Sequence, residues 1–242
     1  LTLLIGLFLL VYFFYIKKLS VNFKIHIIVF LILFLFILSG KNHDDFSYYH
    51  FPYTYLLTQD SHVIGLGILN NGFRNPSSMF YLNSLFYLPK IEFYLFHIGS
   101  AIFLGYINLF LINNILDKNN FKNSRFYNFL NLIIFLFTNI FFSRLSEYGT
   151  DRIGILLVML IFMIILFLVN NNHKDHKKKN FTLIKFLLIL VCISISLKPF
   201  FLIYIPLILV LLFYSHLHKD LFQIVNSKLI LITFVYVSFS FL

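Results

Sequence analysis

The sequence has little charge and almost no cysteine. Only 12% of its 242 residues are charged, whereas 60% are hydrophobic and 20% are aromatic. A soluble domain carries roughly 25% charged residues and has no means of burying so much apolar surface. The single cysteine, Cys192, excludes an intrachain disulfide and leaves the redox compartment open. These shortages exclude an ordinary soluble domain, a disulfide-stapled scaffold, collagen and a disordered chain.

Long runs of Leu, Ile and Phe, separated by short polar stretches, fill most of the chain, and the mean hydropathy is +0.89. Such runs are typical of membrane-spanning helices, which are apolar all round. The sequence therefore predicts an all-α fold, a polytopic transmembrane helical bundle forming one multi-span domain. The eight candidate spans lie near residues 1–16, 24–39, 93–116, 128–142, 153–169, 181–197, 200–214 and 229–242.

Two features qualify this assignment. Only Lys198 and Pro199 separate the sixth span from the seventh, so a single kinked helix is the alternative there. The chain begins at Leu1 rather than Met and ends at Leu242 inside an apolar run. We therefore expect it to be an N-terminal fragment of a longer protein.

The net charge of +10 falls on one side of the predicted bundle. If the spans alternate, thirteen of the 19 basic and three of the nine acidic residues lie in or beside one set of loops, which gives 13 − 3 = +10. The other set is balanced at six against six. By the positive-inside rule the basic side is cytoplasmic, so topology explains the charge and no nucleic-acid partner is predicted. These basic segments lie at residues 17–24, 117–127, 170–185 and 215–228.

The loop at residues 40–92 is far longer than a connection requires and lies on the outer side of the predicted membrane. Loops of this length are usually functional. It opens with His43, Asp44 and Asp45, and adjacent carboxylates so near the hydrocarbon boundary are costly without partners. Further along, apolar residues at helical spacing predict a short helix lying on the membrane surface. They are Met79, Phe80, Leu82, Leu85, Phe86 and Leu88.

Two further charged groups lie on the same side. Glu147 and Asp151 are four residues apart, so they would share a face if the helix of the fifth span begins early. The alternative is that Thr150 or Asp151 simply caps that helix. Lys198 follows at a later membrane edge. A carboxylate can take a proton from an acceptor hydroxyl, and Arg or Lys can neutralise a departing phosphate, which suits transfer from a phospholipid-like carrier.

In this pattern the chain resembles the GT-C superfamily of integral-membrane glycosyltransferases, the protein mannosyltransferase-like enzymes that use polyprenyl-phosphate sugars. Members carry an Asp-rich motif in the first large outer loop, as His43 to His50 does here, and often another acid in the second, as Glu147 to Asp151 does. A Lys or Arg at a later membrane edge corresponds to Lys198. One departure is that the Asp-rich loop follows the second visible span rather than the first.

The resemblance implies that Asp44 or Asp45 is the catalytic base, with Asp45 slightly preferred. Tyr48 and Tyr49 are expected to stack on sugar or carrier, or to act as interfacial anchors. His43 and His50 are candidate ligands for a divalent metal, the one cofactor considered. The candidate substrate-binding residues are Arg74, Lys198, Arg152, Asp151, Glu147, Tyr48, Tyr49 and His50.

The expected partners are a polyprenyl-phosphate sugar donor, a glycan, lipid or protein acceptor, and the lipid bilayer. The expected location is the bacterial cytoplasmic (inner) membrane, with the loop at 40–92 facing outward in the cell envelope. The competing function is a polytopic transporter, flippase or polysaccharide polymerase for envelope glycans. Transporters usually carry internal repeats and paired broken helices, and no such repeat is evident in this sequence.

Overall fold

The protein is all-α in the part of the chain that the computed structural model describes. That part comprises residues 23–38, 43–60, 65–75, 77–116, 125–142, 145–147, 149–170 and 177–206, with the single residues Phe8, Tyr12 and Leu209. These residues contain no strand, and one isolated bridge joins Leu88 to Glu92. The predicted all-α class is therefore confirmed for the described chain.

The helices fall where the sequence is apolar or helix-favouring. In chain order they are α1 (Phe23–Leu38), α2 (Phe51–Gln59), α3 (Leu66–Leu69), α4 (Ser78–Ser84), α5 (Ile98–Leu116), α6 (Arg125–Phe141), α7 (Thr150–Asn170) and α8 (Lys177–Leu197). One π-helical turn and several 3₁₀ turns lie between them. The π turn is Phe46–His50, and the 3₁₀ turns are Asn71–Arg74, Phe93–Leu95, Leu145–Glu147 and Pro199–Tyr204.

Two helical segments, Phe93–Leu116 and Thr150–Leu168, are long and apolar enough to cross a membrane by length and composition. Helices α1, α6 and α8 overlap three other predicted spans but have shorter apolar stretches. The predicted spans at 1–16 and 229–242, apart from Phe8 and Tyr12, and much of the one at 200–214 lie outside the described residues.

The chain breaks between the sixth and seventh predicted spans rather than kinking. Helix α8 ends at Leu197, Lys198 is extended with φ −156° and ψ 126°, and a 3₁₀ turn begins at Pro199. The residue before a proline is disfavoured in the α region because the proline ring crowds its backbone, so Lys198 leaves the helix. A single kinked helix across this point is excluded.

The described residues form two compact units that alternate along the chain. The first unit comprises the described residues within Leu1–Arg74, Met79–Leu109 and Ser143–Gly149. The second unit comprises those within Asn75–Ser78, Phe110–Phe142 and Thr150–Leu242. In the second unit, α7 packs against α6 and α8 around a largely apolar core. Its most buried side chains include Leu156, Leu157, Met163, Ile164, Leu168, Ile184 and Leu187.

Helix α4 corrects one expectation about the long loop. Met79 and Phe80, predicted to face the membrane surface, are instead buried in the core of the first unit. The Phe80 ring lies 5.4 Å from the ring of Tyr53 and 5.4 Å from that of His50, measured between centroids. Helical periodicity marks an apolar face but does not say whether protein or lipid covers it, which is why this prediction was wrong.

Candidate functional site: a π-helical acidic segment

The Asp-rich motif lies on a helical segment that runs from Asp44 to Gln59 and contains the π turn Phe46–His50. Pro52 explains the irregular turn. It has no N–H to donate to the carbonyl of Tyr48, four residues earlier, and its ring would crowd that carbonyl in a regular α-helix. The backbone widens instead, and the N–H of Phe51 donates to the carbonyl of Phe46. Single π turns inside helices are frequent at functional sites.

Asn70 supplies the hydrogen bond that Pro52 lacks. Its Nδ2 donates to the carbonyl of Tyr48 at 2.9 Å, while its Oδ1 accepts from the N–H of Gly72 at 2.8 Å. A Cβ at Gly72 would overlap the Cβ of Tyr49, so only glycine allows this close approach. The two segments of the long loop are therefore joined at the π turn.

Two more contacts complete this junction. Phe73 stacks on Tyr53 with ring centroids 5.2 Å apart, one helical turn beyond Tyr49. The Nε of Arg74 donates to the carbonyl of Gly67 at 2.9 Å, which fixes the direction of an exposed guanidinium. Burial, and then a hydrogen bond to the Tyr81 hydroxyl, raise the pKa of Tyr53 far above its ordinary value, so Tyr53 remains a neutral phenol.

The two aspartates differ in their surroundings. Asp44 is exposed, and its carbonyl accepts from the hydroxyl of Ser47 at 3.2 Å. The Asp45 N–H donates to Nδ1 of His43 at 3.2 Å, and the Asp45 Oδ2 lies 3.4 Å from the same nitrogen. One nitrogen cannot accept and donate together. Nδ1 therefore accepts from the Asp45 N–H in one tautomer of the ring and donates to the carboxylate in the other.

His50 joins this segment to the 3₁₀ turn Leu145–Glu147. The ring is buried, and its Nδ1 lies 3.0 Å from the carbonyl oxygen of Glu147. A carbonyl only accepts, so Nδ1 carries a proton and donates to the carbonyl of Glu147. The Glu147 side chain is buried too. The structure thus brings together two predicted site residues that are 97 positions apart in sequence.

Glu147 and Asp151 do not share a helical face. Glu147 ends the 3₁₀ turn Leu145–Glu147, and α7 begins only at Thr150, after Gly149. Glycine favours leaving a helix over continuing one, so the spacing of four spans two elements. Thr150 and Asp151 are the first two residues of α7.

Asp151 and Lys198 form a second polar cluster, in the second unit. The Lys198 Nζ lies 2.6 Å from Asp151 Oδ1, and both side chains are about half exposed, at 41% and 57%. Next to this ion pair, the ring of Phe201 lies directly on Gly154, where a Cβ would overlap it. Asp151 also lies in the first turn of α7, where the helix dipole favours a negative charge. Arg152, the next residue, is half-buried.

The described residues do not assemble a metal centre. They contain no group of three or more His, Cys, Asp or Glu side chains placed to hold a metal ion. His50 directs its Nδ1–H to a carbonyl, and the Nδ1 of His43 lies against Asp45.

Sequence reasoning missed the contacts that hold the π turn, which are those of Asn70 with Tyr48 and of Gly72 with Tyr49. A signal for them was present, because Pro52 leaves the Tyr48 carbonyl in need of a donor and Asn70-Asn71-Gly72 is a turn-forming sequence. What the sequence does not reveal is which donor, 22 residues away, reaches that carbonyl.

Fold and site together define an all-α protein with membrane-length apolar helices and two polar clusters. Residues 2–241 match the model of the family described as Domain of unknown function (DUF8201), and the chain belongs to that family. Comparisons with the curated proteins and with the solved structures found no match.

Proposed function

We propose that the chain is a polytopic integral membrane protein, with an outward loop at 40–92 in a bacterial inner membrane. Helix α6 carries this part of the proposal, because its polar and apolar faces are exchanged relative to a helix on a soluble protein. Asn128, Asn131 and Thr138 are buried. The exposed side chains are Phe126, Phe129, Leu132, Ile133, Leu136, Ile140 and Phe141. In water this arrangement is costly, whereas a lipid environment favours it.

Within that membrane protein, the function that the site supports best is glycosyl transfer from a polyprenyl-phosphate sugar to an acceptor hydroxyl. The observation that carries it is the His43–Asp45 pair at the start of a helical segment bonded to Glu147 through His50. This arrangement offers a solvent-accessible carboxylate on a firmly held element. A catalytic base must be accessible to its substrate and must also be held in a fixed position relative to it.

In the proposed reaction the acceptor oxygen forms a bond to C1 of the sugar as the bond from C1 to the donor phosphate oxygen breaks. The acceptor proton passes to the carboxylate of Asp45, and the polyprenyl phosphate leaves with the electron pair. His43 can then take up that proton, since its Nδ1 lies 3.4 Å from Asp45 Oδ2. Arg74 is the proposed partner of the leaving phosphate in the same unit. Tyr48 and Tyr49 are proposed to border the sugar.

Lys198, in the second unit, is a separate candidate contact for a phosphate. Its ammonium group already pairs with Asp151 at 2.6 Å. A phosphate would have to displace that carboxylate, so we propose that Lys198, with Arg152 beside Asp151, binds a donor phosphate by exchange with Asp151.

The test is transfer of radiolabelled sugar from a panel of polyprenyl-phosphate donors in membranes containing the full-length protein. We compare wild type with Asp45→Asn, Asp44→Asn and the matched control Asp60→Asn, an exposed aspartate of the same loop. We expect Asp45→Asn to lose transfer, because an amide cannot accept the proton, and Asp60→Asn to retain it. Full transfer in both motif variants, or none in wild type with any donor, would reject the transferase.

A transporter, flippase or polymerase is the second candidate, and one observation favours it. Asn128 and Thr138, on the buried face of α6, have side-chain polar atoms without a hydrogen-bond partner among the described residues. Buried polar groups inside a membrane often mark a substrate pathway. Uptake or release of labelled glycan from vesicles, abolished by Asn128→Leu but not by Asp45→Asn, would favour this function.

A further inference from the structure

The turn made by α3 presents two aliphatic side chains almost completely to the surroundings. Ile68 is 85% exposed and Leu69 is 80% exposed, the two highest values among the large hydrophobic residues that the structure describes. A single exposed leucine is ordinary on any protein surface. Two adjacent branched residues projecting from one turn form a small apolar tip that lacks a protein partner in the described chain.

Hydrogen bonds keep this tip from folding inward. Gly65 begins the turn with φ +95°, a conformation open to glycine, and its carbonyl accepts from the N–H of Ile68 at 2.9 Å. The carbonyl of Leu66 accepts from the N–H of Asn70 at 3.3 Å. The carbonyl of Gly67, between them, accepts from Arg74. The outward direction of Ile68 and Leu69 is therefore part of the fold.

The charge beside the tip identifies its partner. Arg74 is exposed and bonded to Gly67, the residue immediately before Ile68, so a guanidinium accompanies the apolar side chains. A phospholipid leaflet offers the matching chemistry, with acyl chains beneath a layer of phosphate groups. Arginine at that level pairs with phosphate while nearby aliphatic groups enter the acyl region.

We propose that Ile68 and Leu69 insert into the outer leaflet of the bilayer, with Arg74 at the level of the lipid phosphates. This inference rests on the membrane location proposed above. It assigns lipid contact to α3 in place of α4, whose Met79 and Phe80 are buried.

The insertion has a consequence for the acidic segment. Asn70, one residue after Leu69, donates to the carbonyl of Tyr48, and Phe73 stacks on Tyr53. The inserted tip and the segment carrying Asp44 and Asp45 are thus one hydrogen-bonded structure. The depth of the tip in the leaflet fixes the height of the two carboxylates above a lipid-linked donor.

The 242 residues contain no tryptophan, so one substitution creates a unique fluorescent reporter within this chain. We would reconstitute the 242-residue chain with Leu69→Trp in vesicles of phosphatidylcholine and phosphatidylglycerol, with and without brominated acyl chains, and repeat the experiment with Ile68→Trp. We expect the tryptophan emission to be blue-shifted. Brominated lipid should quench most of this fluorescence, and aqueous acrylamide should quench it only weakly. Both positions are exposed, so the larger side chain leaves the packing intact.

Leu132→Trp, on the exposed face of α6, separates this inference from the proposed membrane location. If brominated lipid quenches Leu132→Trp but acrylamide quenches Leu69→Trp, the membrane location stands and the insertion is rejected. If brominated lipid quenches neither variant, both proposals fall. Protection of Leu69→Trp from both quenchers would show a protein partner on the tip and would also reject the insertion.

The role of Arg74 has its own readout. In the Leu69→Trp background, Arg74→Gln should lower quenching by brominated lipid in vesicles with phosphatidylglycerol and change it less in vesicles of phosphatidylcholine alone. Equal quenching with and without the arginine, in both vesicle types, would remove Arg74 from the proposal while Leu132→Trp continues to report the membrane.

Discussion

The two polar clusters are held in opposite ways. The acidic segment of the first unit is fixed by hydrogen bonds to backbone carbonyls, an exposed one from Asn70 to Tyr48 and a buried one from His50 to Glu147. The cluster of the second unit rests on an exposed ion pair between Lys198 and Asp151. Hydrogen bonds to a carbonyl depend little on salt, whereas an exposed ion pair is screened and opens readily. The first arrangement suits a fixed catalytic group, and the second suits a contact that a charged ligand can displace.

The largest expected effect separates the two histidines of the motif. His50→Ala removes the ring donor to the Glu147 carbonyl and the packing against Tyr49 and Phe80, so we expect a loss of roughly 2–4 kcal/mol. His43→Ala, at an exposed position, should cost less than about 0.5 kcal/mol. Thermal unfolding in detergent, followed by circular dichroism, measures both. Equal losses of stability in the two variants would show that the buried His50 does not stabilise the fold more than the exposed His43 does.

The next prediction compares two glycines that lie in close contact with an aromatic residue, Gly72 against Tyr49 and Gly154 against Phe201. Gly72→Ala forces a Cβ into Tyr49 and should cost about 1–3 kcal/mol while lowering the proposed sugar transfer. Gly154→Ala forces a Cβ into the ring of Phe201 and should cost a similar amount. Because Gly72 lies at the π turn that carries the proposed base, Gly72→Ala should reduce transfer per folded molecule more than Gly154→Ala does. Equal reductions in the two variants would remove the special role given to the π turn.

The donor from Asn70 can be removed with little change in size. Asn70→Asp keeps an oxygen for the Gly72 N–H but cannot donate to the Tyr48 carbonyl, so we expect a loss of about 1–2 kcal/mol. Asn71→Asp is the matched control at the neighbouring exposed position and should be within about 0.5 kcal/mol of wild type. Hydrogen exchange provides a local readout, with faster exchange expected at the π turn in Asn70→Asp alone.

The helical class could be predicted from the sequence because apolar runs of membrane length leave few alternatives. The break at Lys198 was also predictable as one of two outcomes, since Pro199 restricts the residue before it. The π turn was not, because the donor to Tyr48 comes from Asn70, and such a partner is set by tertiary structure. Burial of Met79 had the same cause: a helical repeat identifies an apolar face and leaves open whether lipid or protein covers it.

The candidate site, like the fold, could be predicted from the sequence only in part. Residue types identified Asp45, Lys198 and Asp151 as candidates, and the structure brings Lys198 to Asp151. Sequence spacing also suggested that Glu147 shares a face with Asp151, which fails because Gly149 separates two elements. Spacing is a reliable guide within one helix and loses its meaning where the helix begins.

The smallest expected effect concerns the exposed ion pair. A double-mutant cycle of Lys198→Ala and Asp151→Ala should give a coupling of about 0.2–1 kcal/mol, because both side chains are about half exposed and water screens their attraction. The coupling should fall as salt is raised from about 0.1 M to about 1 M, where the screening length shortens from roughly 10 Å to 3 Å. The loss in His50→Ala should hold across the same series, since its hydrogen bond is buried and ends on an uncharged carbonyl. A coupling that persists at high salt would mean that Lys198 and Asp151 are a permanent structural contact, and it would argue against exchange of Asp151 for a donor phosphate.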